Sequence, residues 1–419
     1  MSTKKRKSLK FKQVVNAPSG YVYEAFTSAT AFTEWLCDIA QAKPNVGGRL
    51  YLGWHSGYYA SGEYIELKPG KRLVFSWGGR NEPRLTRVEI EFKSREGNCL
   101  ILLSHTGIGR GKSWKSARQQ IKKGWTRGLK NLKSVLETGQ DERLVRRPLL
   151  GVVGLESLDE VRAAELGILQ HAGLRITGII EGMSADQAGL EAGDVIVKFD
   201  GEDVYTVDRL VAIMNEKRAG DQVKVGYFSG DDKKSLKVTL IERPLPDIPH
   251  SAEALSQAVG RMYAKLDANL DACLQGVKDT NALTSSEPGG MTVNEILAHL
   301  IAVERDLHAW IASLIADREA GFSFFAKQPT RLQATITAFP ELQDLVTELH
   351  QNQVETVAMI AGLPEQFVMR KRSYWRMAFN ILNTPYHYHE YCSQIRRIVL
   401  DSGSMHATDD MQDSEAGEL

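Results

Sequence analysis

Apolar and polar positions alternate in twos along the first hundred residues, then change period. Residues 8–15 read as a strand, with Leu9 and Phe11 on one face and a break at Gln13 before Val14 and Val15. Ala17-Pro18-Ser19 opens a helix carrying Val22, Ala25 and Phe26. Further short strands are expected at 47–52, 62–65, 72–77, 86–92 and 99–104. From residue 113 the repeat becomes 3.6, and Trp114, Ala117, Ile121, Trp125, Leu129, Leu132 and Leu136 fall on one stripe before Gly139 stops the helix. Strand, helix, antiparallel meander and long final helix make residues 8–140 an α+β domain.

A charged stretch ending at Pro148 reads as a linker. Strands follow near 149–152, 174–180, 194–199 and 235–241, and Gly220-Asp221 turns into a strand at 222–225. Ala185, Ala188 and Gly189 suit a short helix, Asp200-Gly201 is a hairpin signal, and Leu210, Val211, Ile213 and Met214 give residues 206–218 a helical stripe. This second domain spans 148–243. The run Pro244–Pro249 is a stiff linker to four helical patterns over 251–400. The second of these starts on a capping box, Thr292 with Glu295, and the fourth is expected from 376 to 400. They predict an all-α four-helix bundle, with residues 319–339 long enough for a crossover. Residues 401–419 are polar and acidic, an expected disordered tail.

Composition changes the picture chiefly through charge. The chain of 419 residues has 52 basic and 52 acidic side chains, so it is formally neutral. The balance is uneven: about +16 for residues 1–147, about −7 for 148–248, about −3 for 249–400 and about −6 for the tail. A basic first domain could attract an acidic partner or nucleic acid, but no nucleic-acid motif accompanies the charge. No apolar run reaches the roughly 18–20 residues of a membrane span. The basic start lacks the apolar core of a secretory signal, and Cys37, Cys99, Cys273 and Cys392 are far apart with no CxxC. A reduced cytoplasmic setting is the expectation.

Two reactions are disfavoured. The loop Gly107–Ser113 imitates a phosphate-binding loop, but the required first glycine falls on Thr106. No Gly-Asn-Ser-Gly-Gly nucleophile loop and no His/Asp set precedes the second domain, which argues against a serine protease.

The landmarks Ala17-Pro18, Phe32–Trp35, Gly47-Gly48, Gly62-Glu63-Tyr64, Val74–Trp77, His105-Thr106-Gly107 and Gly124-Trp125 resemble the START-like family of activators of the heat-shock-ninety ATPase. That resemblance implies a helix-grip fold around a cavity for a small apolar ligand. Trp35, Trp54, Trp77 and Trp125 are its candidate lining, and a packed aromatic core is the competing reading.

The stretch Gly182–Gly201, with Leu149-Leu150-Gly151-Val152 before it, resembles the PDZ family of the bacterial HtrA kind. The resemblance implies a β-barrel-like domain that binds a peptide C-terminus with an apolar last residue. Leu150, Gly151 and Val152 would face the terminus, while Leu210 and Met214 would line the pocket. The chain's own end, Gly417-Glu418-Leu419, is of the kind such a pocket accepts.

Residues 292–305 and 387–398 resemble the DinB-like family, which implies a divalent metal such as zinc or nickel. His299 and His387 match two ligand positions, and Tyr391 stands where the third histidine is expected. His389, at i+2 from His387, points elsewhere. The chain as a whole reads as a multidomain adaptor that captures a peptide C-terminus. The alternative is a DinB-like metal-dependent transferase acting on a thiol or small electrophile.

Overall fold

The structure is a computed structural model describing residues 8–80, 82–109, 111–169, 172–277, 282–285, 287–319, 325–384 and 388–400. It is a multidomain α+β chain with a seven-stranded sheet domain, a second, smaller sheet domain and a C-terminal helical region. The chain divides into two compact units, and the helical region contributes to both.

The first unit combines residues 1–146 with 312–321 and 364–378. Its strands are β1 (Leu9–Val15), β2 (Ile39–Ala42), β3 (Arg49–Gly53), β4 (Tyr59–Lys68), β5 (Arg72–Gly79), β6 (Thr86–Arg95) and β7 (Asn98–Thr106). They form one antiparallel sheet in the order β1-β7-β6-β5-β4-β3-β2. Two short helices, α1 (Ser19–Glu24) and α2 (Ala29–Trp35), connect β1 to β2. Helix α3 (Lys115–Thr138) buries Ala117, Ile121, Trp125, Leu129, Leu132 and Leu136, the stripe expected from the sequence, against the inward residues of the sheet. Gly139 ends it in the left-handed region, its N–H returning to the Val135 carbonyl. A one-turn helix, α4 (Glu142–Val145), closes the main segment.

Gly62 illustrates why one landmark must lack a side chain. A Cβ there would lie 1.8 Å from the carbonyl oxygen of Ser76 on the neighbouring strand. The close approach belongs to the β4–β5 pairing, whose register shifts between Tyr64 and Glu66.

The second unit holds residues 147–311, 322–363 and 379–419. Strands β8 (Val152–Leu158), β9 (Gly173–Ile179), β10 (Val195–Phe199), β11 (Glu202–Asp203), β12 (Gln222–Ser229) and β13 (Asp232–Thr239) form a sheet ordered β13-β12-β10-β9-β8, with β11 on β10. The expected hairpin at Asp200-Gly201 is present, both residues having positive φ. Helices α5 (Glu160–Glu165), α6 (Ser184–Gln187) and α7 (Val207–Met214) lie between the strands, α7 capped by the Thr206 hydroxyl.

The helical region contains α8 (Ala252–Leu274), α9 (Val293–Ile315), α10 (Pro329–Ala338), α11 (Leu342–Ala361), α12 (Glu365–Met369), α13 (Lys371–Leu382) and a further helix α14 over 388–400. The Thr292/Glu295 capping box forms as expected: each side chain accepts the other's backbone N–H. One expectation is filled in and another is corrected. The connection 319–339 carries a helix of its own, α10, started by Pro329 at its first turn. The single helix expected over 376–400 is divided: α13 begins earlier, at Lys371, and stops three residues before Pro385. A proline inside a helix removes a hydrogen bond and clashes with the preceding turn, and the heptad-like apolar stripe had masked it.

Candidate peptide-binding groove and the polar sites around it

The loop before β8 is fixed by its carbonyls and by the Leu149 N–H, which donates to Ile241 O (3.0 Å), and leaves its next two amides unused. Leu149 O accepts from Ser184 Oγ (3.2 Å), Leu150 O from Ala185 N (2.8 Å) and Gly151 O from Ile180 N (2.9 Å). The N–H groups of Leu150 and Gly151 donate to no partner among the described residues. Gly151 has φ +84°, and a Cβ there would lie 2.4 Å from Met183 Cβ. Only glycine therefore turns this loop without pushing Met183 away.

Strand β8 pairs only with β9 among the described strands, so its other edge is open beside α7. Leu150, Leu210 and Met214 lie in one apolar cluster with Ile176, Ile213 and Val225, and half-buried Val152 packs against it. The five residues expected to form the site are thus in one neighbourhood. Val207, on the more exposed side of α7, and Met183 beneath the loop were not anticipated. Their signals were local: the turn preceding α7, and the glycine whose missing Cβ makes room.

The back of this sheet is covered by the helical region. Leu174 and Ile176 face the core, while Arg175 and Thr177 face away. Arg175 donates to both Glu287 oxygens (3.1 and 2.5 Å) and to Glu156 (3.0 Å), and Arg162 bridges the same two carboxylates. Glu390 on α14 accepts from Thr177 Oγ1 at 2.9 Å, over Gly154, whose absent Cβ leaves room for its carboxylate.

In the first unit the four candidate tryptophans all have their N–H groups satisfied internally. Trp35 donates to Ala25 O (2.8 Å), Trp54 to Leu36 O (2.8 Å), Trp77 to Glu82 (3.2 Å) and Trp125 to His105 Nδ1 (3.0 Å). Trp77 and Trp125 meet at 5.5 Å between ring centres, whereas Trp35 packs on Phe26 and Trp54 on Tyr58. Trp35, Trp77 and Trp125 fill the interior, Trp54 is half-buried against it, and each touches another ring. Burial drives the His105 pKa down to about 3. Its Nδ1 accepts from Trp125, so the proton sits on Nε2, 2.7 Å from Thr86 Oγ1. This histidine is a neutral core bridge, and its contribution to stability is lost as pH falls below the unfolded value near 6.5.

His299 on α9 is buried, and its ring meets that of Tyr391 at 5.3 Å in an edge-on contact. His387 lies outside the described residues. Burial holds the Tyr391 phenol above its ordinary pKa, and the Lys327 ammonium stands 5.8 Å from its ring centre. The described part of the expected donor set is thus one imidazole beside one neutral phenol. No group of three metal-binding side chains occurs among the described residues.

A second polar cluster in the helical region was missed by the sequence reading. Glu304 is buried, and its carboxylate accepts from the Tyr263 hydroxyl, which lies 3.0 and 2.9 Å from its two oxygens, and from Thr356 (2.9 Å). Burial raises its pKa from 4.5 to about 7, with Asp267 adding to the rise and the two hydroxyls opposing it. A folded-state pKa above the unfolded one favours the fold below pH 4.5, and that advantage is lost as pH rises through 7. Each pKa unit is about 1.4 kcal/mol, so about 3 kcal/mol is at stake. Glu304→Gln should therefore leave stability at pH 4.5 nearly unchanged and raise it at pH 8, as read by urea unfolding at the two pH values. Equal effects at both would remove the carboxylate from the pH dependence.

Comparison with known proteins agrees with the two sheet domains. Residues 16–137 match the family model described as activator of Hsp90 ATPase homolog 1-like protein, and residues 148–240 match the PDZ domain. The chain therefore contains an Aha1-like domain followed by a PDZ domain. Among curated proteins it is 33% identical over 99 residues to the magnetosome formation protease MamE of Paramagnetospirillum magneticum, covering 24% of this chain and 13% of that protein. It is 23% identical over 138 residues to a probable periplasmic serine endoprotease DegP-like of Marinomonas, covering 33% of this chain and 29% of the relative. The chain thus spans less than a third of these relatives. Solved structures similar to it include an HSP90 activator from Plasmodium falciparum, 26% identical with a TM-score of 0.28, covering 31% of this chain and 95% of that one. The Aha1 dimer from Colwellia psychrerythraea is 16% identical with a TM-score of 0.29, covering 31% and 96%. No helix among the described residues is long and apolar enough to cross a membrane.

Proposed function

We propose that this chain is a binding or adaptor protein that captures a peptide C-terminus at the PDZ domain. The observation that carries the reading is the pair of unused amides at Leu150 and Gly151, beside an apolar cluster and an open strand edge. Converging backbone N–H groups suit a terminal carboxylate. The edge of β8 offers main-chain hydrogen bonds to an added strand, and the Leu150–Leu210–Met214 surface suits an apolar last side chain. The Aha1-like domain is the second binding module, for a small apolar ligand, in a helix-grip fold. The helical region acts as a four-helix scaffold, and the working compartment is the cytoplasm.

The test uses one peptide in two forms. A labelled peptide ending in Val or Leu should bind as the free acid and lose at least tenfold in affinity as the amide. Leu210→Ala should weaken the free acid further than it weakens the amide. Equal binding of acid and amide would overturn terminal capture.

A further inference from the structure

One carboxylate at the rim of the first unit's core has no counter-ion among the described residues. Glu82 lies in the connection between β5 and β6, half-buried, and its Oε1 accepts from the Tyr58 hydroxyl (3.0 Å) and the Trp77 indole N–H (3.2 Å). Its Oε2 is buried and accepts from no group among the described residues. The arginines on either side in sequence are committed elsewhere: Arg80 donates to the Gly57 carbonyl (2.6 Å) and Arg84 to the Gly107 carbonyl (3.2 Å). By contrast, Glu66, Glu137 and Glu34 of the same unit each hold a cation, Arg72, Lys133 and Arg372 respectively. Burial pushes the Glu82 carboxyl pKa up, and the hydrogen bonds it accepts offset only part of the rise. A half-satisfied acid of this kind is costly unless a further donor completes it.

Three aromatic rings stand at this rim. The β3–β4 turn is closed by the Trp54 N–H on the Tyr58 carbonyl (2.9 Å), which sets those two rings side by side at 5.2 Å between centres. Both are half-buried and pack against the core that contains Trp77. Gly79 makes the room, since a Cβ there would collide with the Glu82 carboxylate and the Tyr58 hydroxyl. We propose that this rim binds the ammonium end of a small primary or secondary amine, an inference that rests on the Aha1-like domain taking a small ligand at all. The lone pairs of Oε2 would accept an N–H, which selects such an amine over a quaternary ammonium. The partly open faces of Trp54 and Tyr58 favour a cation and offer cover to its hydrocarbon body. A carboxylate ligand would meet the like charge of Glu82, and a neutral alcohol would gain a hydrogen bond without the charge. The ligand so defined is amphipathic and cationic, not wholly apolar.

The full chain is titrated by calorimetry with hexylamine, hexanol and hexanoate at neutral pH and fixed ionic strength. Hexylamine should bind about tenfold more tightly than the alcohol, and hexanoate most weakly of the three. Glu82→Gln keeps the size of the side chain and should bring hexylamine down to the level of the alcohol, leaving the alcohol unchanged. Glu63→Gln, at an exposed position of β4, removes the same charge from the surface and should bind all three as the parent does. Thermal melting establishes that both variants remain folded, and the parent's ranking of the three ligands decides without any variant. The inference is overturned if hexylamine binds no more tightly than hexanol, if Glu82→Gln keeps the preference, or if Glu63→Gln loses it too. In each of those cases hexanol that still binds preserves the small-ligand reading of the domain, whereas binding of none of the three overturns both.

Discussion

Arg372→Met is expected to destabilise the first unit by about 3–5 kcal/mol, the usual cost of leaving one half of a buried ion pair alone. The Arg372 and Glu34 side chains are each about 1% exposed, with Nε 2.7 Å from Oε2. Ser373 donates to the other Glu34 oxygen at 2.7 Å, and the guanidinium lies 4.9 Å from the Tyr21 ring centre. Burial pushes the Glu34 carboxyl up, with Arg372 and Arg376 opposing the rise, so removing the cation should protonate Glu34. The double variant Glu34→Leu/Arg372→Met should recover most of the loss, because an apolar pair of similar volume needs no counter-charge. Guanidinium unfolding of the full chain, followed by tryptophan fluorescence, reads both. If the double variant is as unstable as the two singles added together, the pair is not the source of the effect.

The second large effect belongs to the groove. Gly151→Val should abolish binding of the free-acid peptide, a loss of more than a hundredfold, and should lower stability by about 2–4 kcal/mol. A β-branched residue at φ +84° is strained by about 1–2 kcal/mol, and its Cβ would stand 2.4 Å from Met183 Cβ. Trimming the obstacle with Met183→Gly in the same chain should return part of the stability but not the binding, since the loop amides stay misdirected. Titration with the labelled peptide and thermal melting separate the two readouts. Peptide affinity unchanged in Gly151→Val would move the binding site away from this loop.

Periodic and punctuated features were legible from the residues. The α3 stripe, the Asp200-Gly201 hairpin and the Thr292/Glu295 box each depend on side chains within a few positions of one another. Strand β2 was not seen, since four residues with one buried side chain carry almost no alternation. Of the groove, the glycine loop and the α7 stripe were readable, while the open amides required the carbonyl partners from residues 180–185. The Glu304 cluster was hidden for a different reason. Tyr263, Glu304 and Thr356 are separated by 41 and 52 positions and sit on three helices. A buried glutamate has no local signature when its partners come from elsewhere in the chain.

The ion pair of Glu34 with Arg372 also bears on how the chain is made. Residues 1–146 receive Arg372, Ser373 and Arg376 from a segment synthesised more than two hundred residues later. At about 5–20 residues per second, translation takes roughly ten to fifty seconds to cover that distance. During that interval Glu34 has no cation and the surface of α2 has no cover. The Aha1-like domain therefore leaves the ribosome before the cation of its own buried pair has been made. A ribosome-bound chain halted before residue 364 should show a protease-sensitive first domain, and one halted after residue 420 of an extended reading frame should show a resistant one.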